Sequence, residues 1–171
     1  MPEVRLEALD QRWLGEVNDL VADPDVRRFT RIPEPPPEDF ARTWIEAYEA
    51  ARVDGTRAGF AAVGGDGDFL GLALAPKIDR AASELELGYI VAPAARGRGV
   101  ATEILRLLTE WAFRELVAQR IYLIIDVENH ASARVAERCG YRREGVMRSL
   151  HLKGGQRIDA GIWSRLPSDP G

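Results

Sequence analysis

The sequence predicts an α+β fold in which about seven mostly antiparallel strands form one sheet with helices on both faces. Two observations support this prediction. Segments with strand and helix periodicity follow in the order strand, two helices, three strands, helix, strand, helix and two strands. This mixed order differs from the regular alternation of a doubly wound parallel fold. The chain of 171 residues has an ordinary length for one domain, so we expect residues 1–171 to form a single domain.

The first half of the chain contains one strand and two helices before a hairpin. The predicted elements are a strand at residues 3–7, helices at about 10–21 and 40–54, and strands at 57–63 and 68–76. Asp10 can cap the first helix, because its side chain accepts a hydrogen bond from an early amide. The proline-rich segment 33–37 predicts a loop between the helices.

The second half alternates more regularly between strands and helices. The predicted elements are strands at 84–91 and 120–127, helices at about 99–116 and 131–138, and strands at 141–152 and 156–166. In the strand at 84–91, Glu84 and Glu86 fall on one face because side chains alternate along a strand. Gly140 is placed to end the short helix at 131–138.

The composition indicates a globular protein with a hydrophobic core. Hydrophobic residues make up 46% and charged residues 29%, a usual balance for such proteins. The net charge of −4 gives no sign of the basic face of a nucleic-acid-binding protein. One cysteine and two histidines are too few for an ordinary structural zinc site, so we expect no metal. Without an apolar signal or membrane-spanning run, we expect a cytoplasmic protein with no nucleic-acid or membrane partner.

The segment at residues 90–102, with the sequence IVAPAARGRGVAT, joins a strand to a helix through a turn rich in glycine and arginine. The first amides of a helix lack partners within it and lie at the positive end of the helix dipole. Glycines let an anion approach this backbone, and Arg96 and Arg98 can add charged hydrogen bonds. The segment therefore predicts a phosphate site, although glycines that only form a tight turn beside solvated arginines remain an alternative.

Two blocks of the sequence resemble the GNAT superfamily of N-acetyltransferases. The sequence RGRGVA at 96–101 is similar to the R/Q-x-x-G-x-G/A signature of that family, and it follows a Val-x-Pro strand exit at 91–93. Residues 126–145 resemble the N-x-x-S…GF-x-x-EG pattern of the ribosomal-protein (Rim-type) branch. The resemblance covers about 83–166 and is looser over 1–82. It implies a fold in which the fourth and fifth strands splay around acyl-CoA.

The resemblance also implies that acetyl-CoA is the co-substrate and indicates which residues hold it. The end of the fourth strand would pair with the pantetheine arm, and the start of the long helix would hold the pyrophosphate. The implied binding residues are Tyr89, Ile90, Val91, Arg96, Gly97, Arg98, Gly99, Val100, Ala101, Thr102, Asn129 and Ser132. Asn129 also suits a helix N-cap, and both roles remain open.

Transfer of an acetyl group to an amine requires a proton acceptor for the amine and a proton source for the thiolate. A carboxylate on the fourth strand is the expected base, and we favour Glu86 over Glu84 because it lies nearer the cofactor end. A solvated strand face is the alternative for both glutamates. Alignment places the family's general-acid tyrosine at Ala136, so Ser132 is the nearest substitute. A backbone amide near Val91 can serve the oxyanion.

The sequence thus predicts an N-acetyltransferase that moves an acetyl group from acetyl-CoA to a primary amine. The acceptor is either a protein N-terminus, as the Rim-type resemblance suggests, or a small molecule. An acyl-CoA-binding module without turnover is the alternative, and the absence of a tyrosine at Ala136 favours it. A homodimer is compatible with the family resemblance.

Overall fold

The computed structural model describes residues 1–170, whose strands form one mixed sheet. The strands are β1 (Val4–Ala8), β2 (Ala58–Gly64), β3 (Phe69–Asp79), β4 (Glu84–Val91), β5 (Arg120–Asp126), β6 (Arg142–Lys153) and β7 (Gln156–Arg165). Their order in the sheet is β1-β2-β3-β4-β5-β7-β6. Neighbouring strands are antiparallel except for β4 and β5, which are parallel. The predicted seven-stranded, mostly antiparallel α+β fold is therefore confirmed.

The helices include one that the sequence patterns did not predict. They are α1 (Leu14–Ala22), α2 (Pro24–Phe29), α3 (Phe40–Asp54), α4 (Val100–Glu115) and α5 (His130–Arg138). The missed helix α2 has six residues, too few to display a helical period. Its start was nevertheless signalled: Asp23 accepts a hydrogen bond of 2.9 Å from the Val26 amide, and Pro24 takes the first helical position. No helix within residues 1–170 is long and apolar enough to cross a membrane.

Two hydrophobic cores lie on opposite faces of the sheet. Alternate residues of β3 enter different cores: Ala73 and Ala75 lie in the one that contains α4 and α5, whereas Leu72 and Leu74 lie in the one that contains α1, α2 and α3. This division follows from the period of two along a strand. The prediction of helices on both faces is confirmed.

The sheet opens between β4 and β5. These strands pair only at their first three residues, ending with Glu86 opposite Tyr122. Beyond this point β4 pairs with β3 alone, while β5 continues to pair with β7. The register between β3 and β4 also shifts between Leu74 and Lys77. Residues 87–91 of β4 and 123–126 of β5 therefore border an opening, the β4–β5 gap, and the predicted splaying is confirmed.

Candidate active site

The turn between β4 and α4 depends on two glycines. Gly97 and Gly99 have φ angles of +73° and +79°, a region that other residues enter only with strain. A β-carbon at Gly97 would meet no atom within 4 Å, so conformation rather than space requires glycine there. Gly99 is the N-cap of α4, and the first intrahelical bond runs from the Glu103 amide to its carbonyl. The preceding amides of this helix start are available to an anion.

The two arginines of the turn have different surroundings. Arg96 forms ion pairs with Asp23 at 3.3 Å and with Asp25 at 3.6 Å, which tie the turn to α2. Arg98 is exposed, and no carboxylate of residues 1–170 lies within 4.0 Å of its guanidinium. Arg98 is therefore the cation of the turn that can meet an added anion without first breaking an ion pair.

A cavity of about 880 Å³ extends from the β4–β5 gap to α3, the loop after α2 and the β6–β7 hairpin. Its volume falls in the range of small-molecule sites. Five of the site residues predicted from the sequence line this cavity: Glu86, Tyr89, Ile90, Asn129 and Ser132. Val91 and the turn residues 96–102 lie outside this lining.

Glu86 and Glu84 have different environments although they share a strand face. Glu86 lines the cavity, is only 6% exposed and forms an ion pair with Arg31. Glu84 pairs with Arg120 at 2.9 Å where β4 and β5 are still joined, and it lies outside the cavity. Arg31 was not predicted, because no local pattern links residues that are 55 positions apart.

Tyr89 contacts Ser132 across the gap. The phenol oxygen lies 2.7 Å from the Ser132 Oγ. Burial raises the pKa of Tyr89 to about 12, although the hydrogen bond to Ser132 opposes the shift. The phenol therefore keeps its proton at neutral pH. The sequence analysis assigned Tyr89 only through its backbone, although strand alternation places its side chain on the face opposite Glu86, where α5 lies.

Asn129 has one of the two roles that the sequence left open, the helix cap. Its Oδ1 accepts a hydrogen bond of 3.1 Å from the Ser132 amide, so the side chain caps α5. The residue also lines the cavity. The capping bond fixes the first turn of α5, and this turn places Ser132 beside Tyr89.

Part of the cavity wall is aromatic. The ring centroids of Phe40 and Trp44 are 5.5 Å apart, and those of Trp44 and Tyr48 are 6.1 Å apart. His151 also lines the cavity; burial lowers its pKa, and the nearby charge of Arg31 lowers it further. All three aromatic residues border the cavity.

The chain is similar to acetyltransferases in both sequence and structure. Residues 4–142 match the family described as acetyltransferase (GNAT) domain. A putative ribosomal N-acetyltransferase, YdaF of Bacillus subtilis, is 30% identical over 142 residues, which cover 83% of this chain and 70% of that protein. Spermidine N(1)-acetyltransferase of Escherichia coli is 28% identical over 155 residues, which cover 90% and 81%. The structure of spermidine N-acetyltransferase from Vibrio cholerae in complex with CoA and spermine superposes with a TM-score of 0.87 at 23% identity, covering 98% and 97%, which establishes a shared fold.

Proposed function

This chain belongs to the GNAT acetyltransferase family, and from that premise we propose that it transfers the acetyl group of acetyl-CoA to the primary amine of a small molecule. One observation carries the proposal. The β4–β5 gap connects a glycine-rich helix start on one side with a cavity containing a buried carboxylate on the other. This arrangement supports an acyl donor that enters from the turn and an acceptor that enters from the cavity.

The residues around the gap fit acetyl-CoA. The helix start at Gly99 offers free amides, and Arg98 offers an unpaired guanidinium for a pyrophosphate. Residues 87–91 of β4 lack a strand partner on the gap side, so the amide groups of a pantetheine arm can complete their hydrogen bonds. We assign the cofactor-binding role to these segments and to Asn129 at the start of α5.

We assign Glu86 as the group that accepts the proton of the amine. It is the buried carboxylate that lines the cavity, whereas Glu84 lies outside the cavity at the joined end of β4 and β5. As the nitrogen attacks, the new N–C bond forms, the C–S bond breaks and the proton passes to Glu86, directly or through water. We assign the stabilisation of the oxyanion to a backbone amide near Val91.

We assign Tyr89, together with Ser132, as the proton donor to the departing thiolate. The phenol remains protonated at neutral pH and is bonded to the Ser132 hydroxyl at 2.7 Å. Because strand alternation places Glu86 and Tyr89 on opposite faces of the sheet, the proton is taken from the amine side and supplied from the cofactor side. This pair gives the protein a donor although Ala136 occupies the position of the family tyrosine.

A small-molecule acceptor fits the site better than a protein N-terminus. The cavity is bounded by α3, the loop after α2 and the β6–β7 hairpin, which together leave room on the scale of a small ligand. The similarity to spermidine acetyltransferases supports a small amine, whereas the similarity to a putative ribosomal enzyme is the support for a peptide. The homodimer stays a prediction.

Thiol release from acetyl-CoA, measured against a panel of amines, amino acids and N-terminal peptides, tests the proposal. We expect release with at least one class of small amine and little with peptides. Release with peptides alone would contradict the small-molecule acceptor. If acetyl-CoA raises the melting temperature but no acceptor releases thiol, the chain is an acyl-CoA-binding module. If acetyl-CoA does not bind, the proposed cofactor site is wrong.

A further inference from the structure

The charged side chains that line the cavity favour an anionic group on the acceptor. Four of them are cationic and three are acidic: Arg28, Arg31, Arg57 and Lys153 against Glu34, Glu86 and Asp126. The lining is therefore slightly basic although the whole chain is acidic. A ligand that carries only positive charges meets like charges in this cavity, and such juxtapositions disfavour binding.

Most of the acidic side chains in the cavity already have partners. Glu34 pairs with Arg27 at 3.0 Å, and Glu86 pairs with Arg31. Among residues 1–170, Asp126 is the cavity carboxylate with no cationic side chain within 4.0 Å. A polyamine carries several ammonium groups, and the cavity does not provide a free carboxylate for each of them.

Arg31 is placed to bind a carboxylate inside the cavity. Its side chain is 53% exposed, and one of its terminal nitrogens forms the ion pair with Glu86. A guanidinium has five N–H donors in a planar fork that matches the two oxygens of a carboxylate. The remaining donors can therefore bind a ligand carboxylate while the bond to Glu86 persists.

The contact between Arg31 and Glu86 also sets how far apart the ligand groups must be. Because the two side chains touch, a ligand carboxylate on Arg31 lies next to any ligand amine that approaches Glu86. An amine and a carboxylate attached to the same carbon satisfy this requirement. A ligand with a terminal amine on a long chain and no carboxylate leaves Arg31 without a ligand partner.

The aromatic wall indicates what the rest of the ligand is. Phe40 and Trp44 border the cavity with part of their surface accessible, and Tyr48, which also lines the cavity, is buried. Burial raises the pKa of Tyr48 to about 12, with a further contribution from the Glu86 charge, so its ring remains neutral near the ion pair. Such a wall gains free energy by covering an apolar side chain.

We propose that the acceptor is an α-amino acid with an apolar side chain, whose carboxylate binds Arg31 while its amine meets Glu86. This proposal rests on the acetyl-transfer function proposed above and names its substrate class. The ligand then carries one negative and one positive group, which complement the adjacent arginine and glutamate.

The test compares kcat/KM for L-phenylalanine, L-leucine, 2-phenylethylamine and spermidine. 2-Phenylethylamine is L-phenylalanine without the carboxylate, so the ratio of these two substrates isolates the contribution of that group. We expect wild-type protein to prefer L-phenylalanine by about tenfold or more, the ordinary effect of one charged hydrogen-bonding group. Arg31→Gln should lower kcat/KM for L-phenylalanine about 10- to 100-fold more than that for 2-phenylethylamine, since any effect through its ion pair with Glu86 acts on both substrates.

Arg42→Gln is the matched control, since Arg42 is an exposed arginine of α3 that lies outside the cavity lining. It should preserve the preference, and Arg31→Lys should restore part of it. Equal or better use of spermidine or 2-phenylethylamine by the wild type would overturn the proposal, as would an equal loss in both arginine variants.

Calorimetric titration of the CoA-loaded protein with L-phenylalanine tests, without turnover, whether Arg31 binds the carboxylate of the acceptor. Binding that needs Arg31 supports this inference even if acetyl transfer fails, and absence of binding overturns it.

Discussion

The two faces of the sheet beside β4 are organised over different sequence distances. On the face of α4 and α5, the turn at 96–99 and the cap formed by Asn129 depend on residues that are close in sequence. On the face of α1, α2 and α3, Glu86 meets Arg31 across 55 positions, and Lys153 bonds the Ile32 carbonyl across 121. In the function proposed above, the cofactor site therefore depends mainly on local sequence, although Tyr89 meets Ser132 across 43 positions, whereas the acceptor cavity depends on tertiary contacts. Substitutions on the cofactor face should affect all acceptors equally.

The largest effect is expected for Gly99→Glu, which should weaken acetyl-CoA binding more than about 100-fold, because it places a carboxylate at an anion site. Gly67→Glu is a matched control: Gly67 also has a positive φ, +88°, and open space around it, but it lies in the exposed β2–β3 turn. Both changes impose the same kind of backbone strain, about 1–2 kcal/mol. Calorimetric titration and melting temperatures separate lost binding from lost stability. Equal affinities of the two variants for acetyl-CoA would contradict the assignment of the cofactor site to the α4 turn.

Glu86→Gln should lower kcat about 100-fold or more with every acceptor, because the amide cannot accept the proton. Glu84→Gln is the control, since Glu84 lies on the same strand face but pairs with Arg120 at the joined end of the gap. Saturating steady-state rates are the measurement. A similar fall in both variants would mean that a change of charge on β4, and not proton transfer at Glu86, controls the rate.

Tyr89→Phe should reduce kcat about tenfold, which is below the usual effect of a general acid because water can also protonate a thiolate. Tyr141 offers a matched comparison, because its phenol lies 2.7 Å from the Thr109 hydroxyl but is buried in the core at 3% exposure. Tyr141→Phe should lower the free energy of unfolding by about 1 kcal/mol and leave kcat unchanged. Steady-state rates should therefore detect the effect of Tyr89→Phe, and denaturant unfolding should detect the effect of Tyr141→Phe. Unchanged kcat in Tyr89→Phe would exclude its phenol as the proton donor.

The same contrast explains what the sequence could predict. The strand at 84–91 was predicted with the bounds of β4, because its alternation is regular, and the α4 turn was found from its glycines. Helix α2 was missed because six residues carry no period. Arg31 was missed because its position depends on a loop folding back over β4, and a single sequence contains no signal of that contact. The side-chain role proposed for Tyr89 could have been predicted from strand alternation together with the placement of α5 on that face of the sheet.

The smallest effect is expected at the joined end of the gap, where Arg120 bonds Glu144 at 2.5 and 2.9 Å. Hydrogen bonds from Arg120, and then from Ser164, lower the pKa of Glu144 from 4.5 to about 2. A carboxyl group with a lowered pKa stabilises the fold above its ordinary pKa, and this contribution is lost as the pH falls from about 4.5 towards about 2. Because 41% of the Glu144 side chain is exposed, screening limits the contribution to below about 1 kcal/mol.

Glu144→Gln should therefore lower the melting temperature by about 1–3 °C at pH 7, and the difference should shrink as the pH approaches 2. Glu115→Gln is the control, because Glu115 pairs with Arg114 on an exposed stretch of α4 and should show no such convergence. Acetyl-CoA affinity should stay unchanged in both, since neither residue borders the cavity or the turn. A loss of affinity in Glu144→Gln alone would mean that the joined end of β4 and β5 controls the width of the gap. The joined end would then belong to the cofactor site and not only to the sheet.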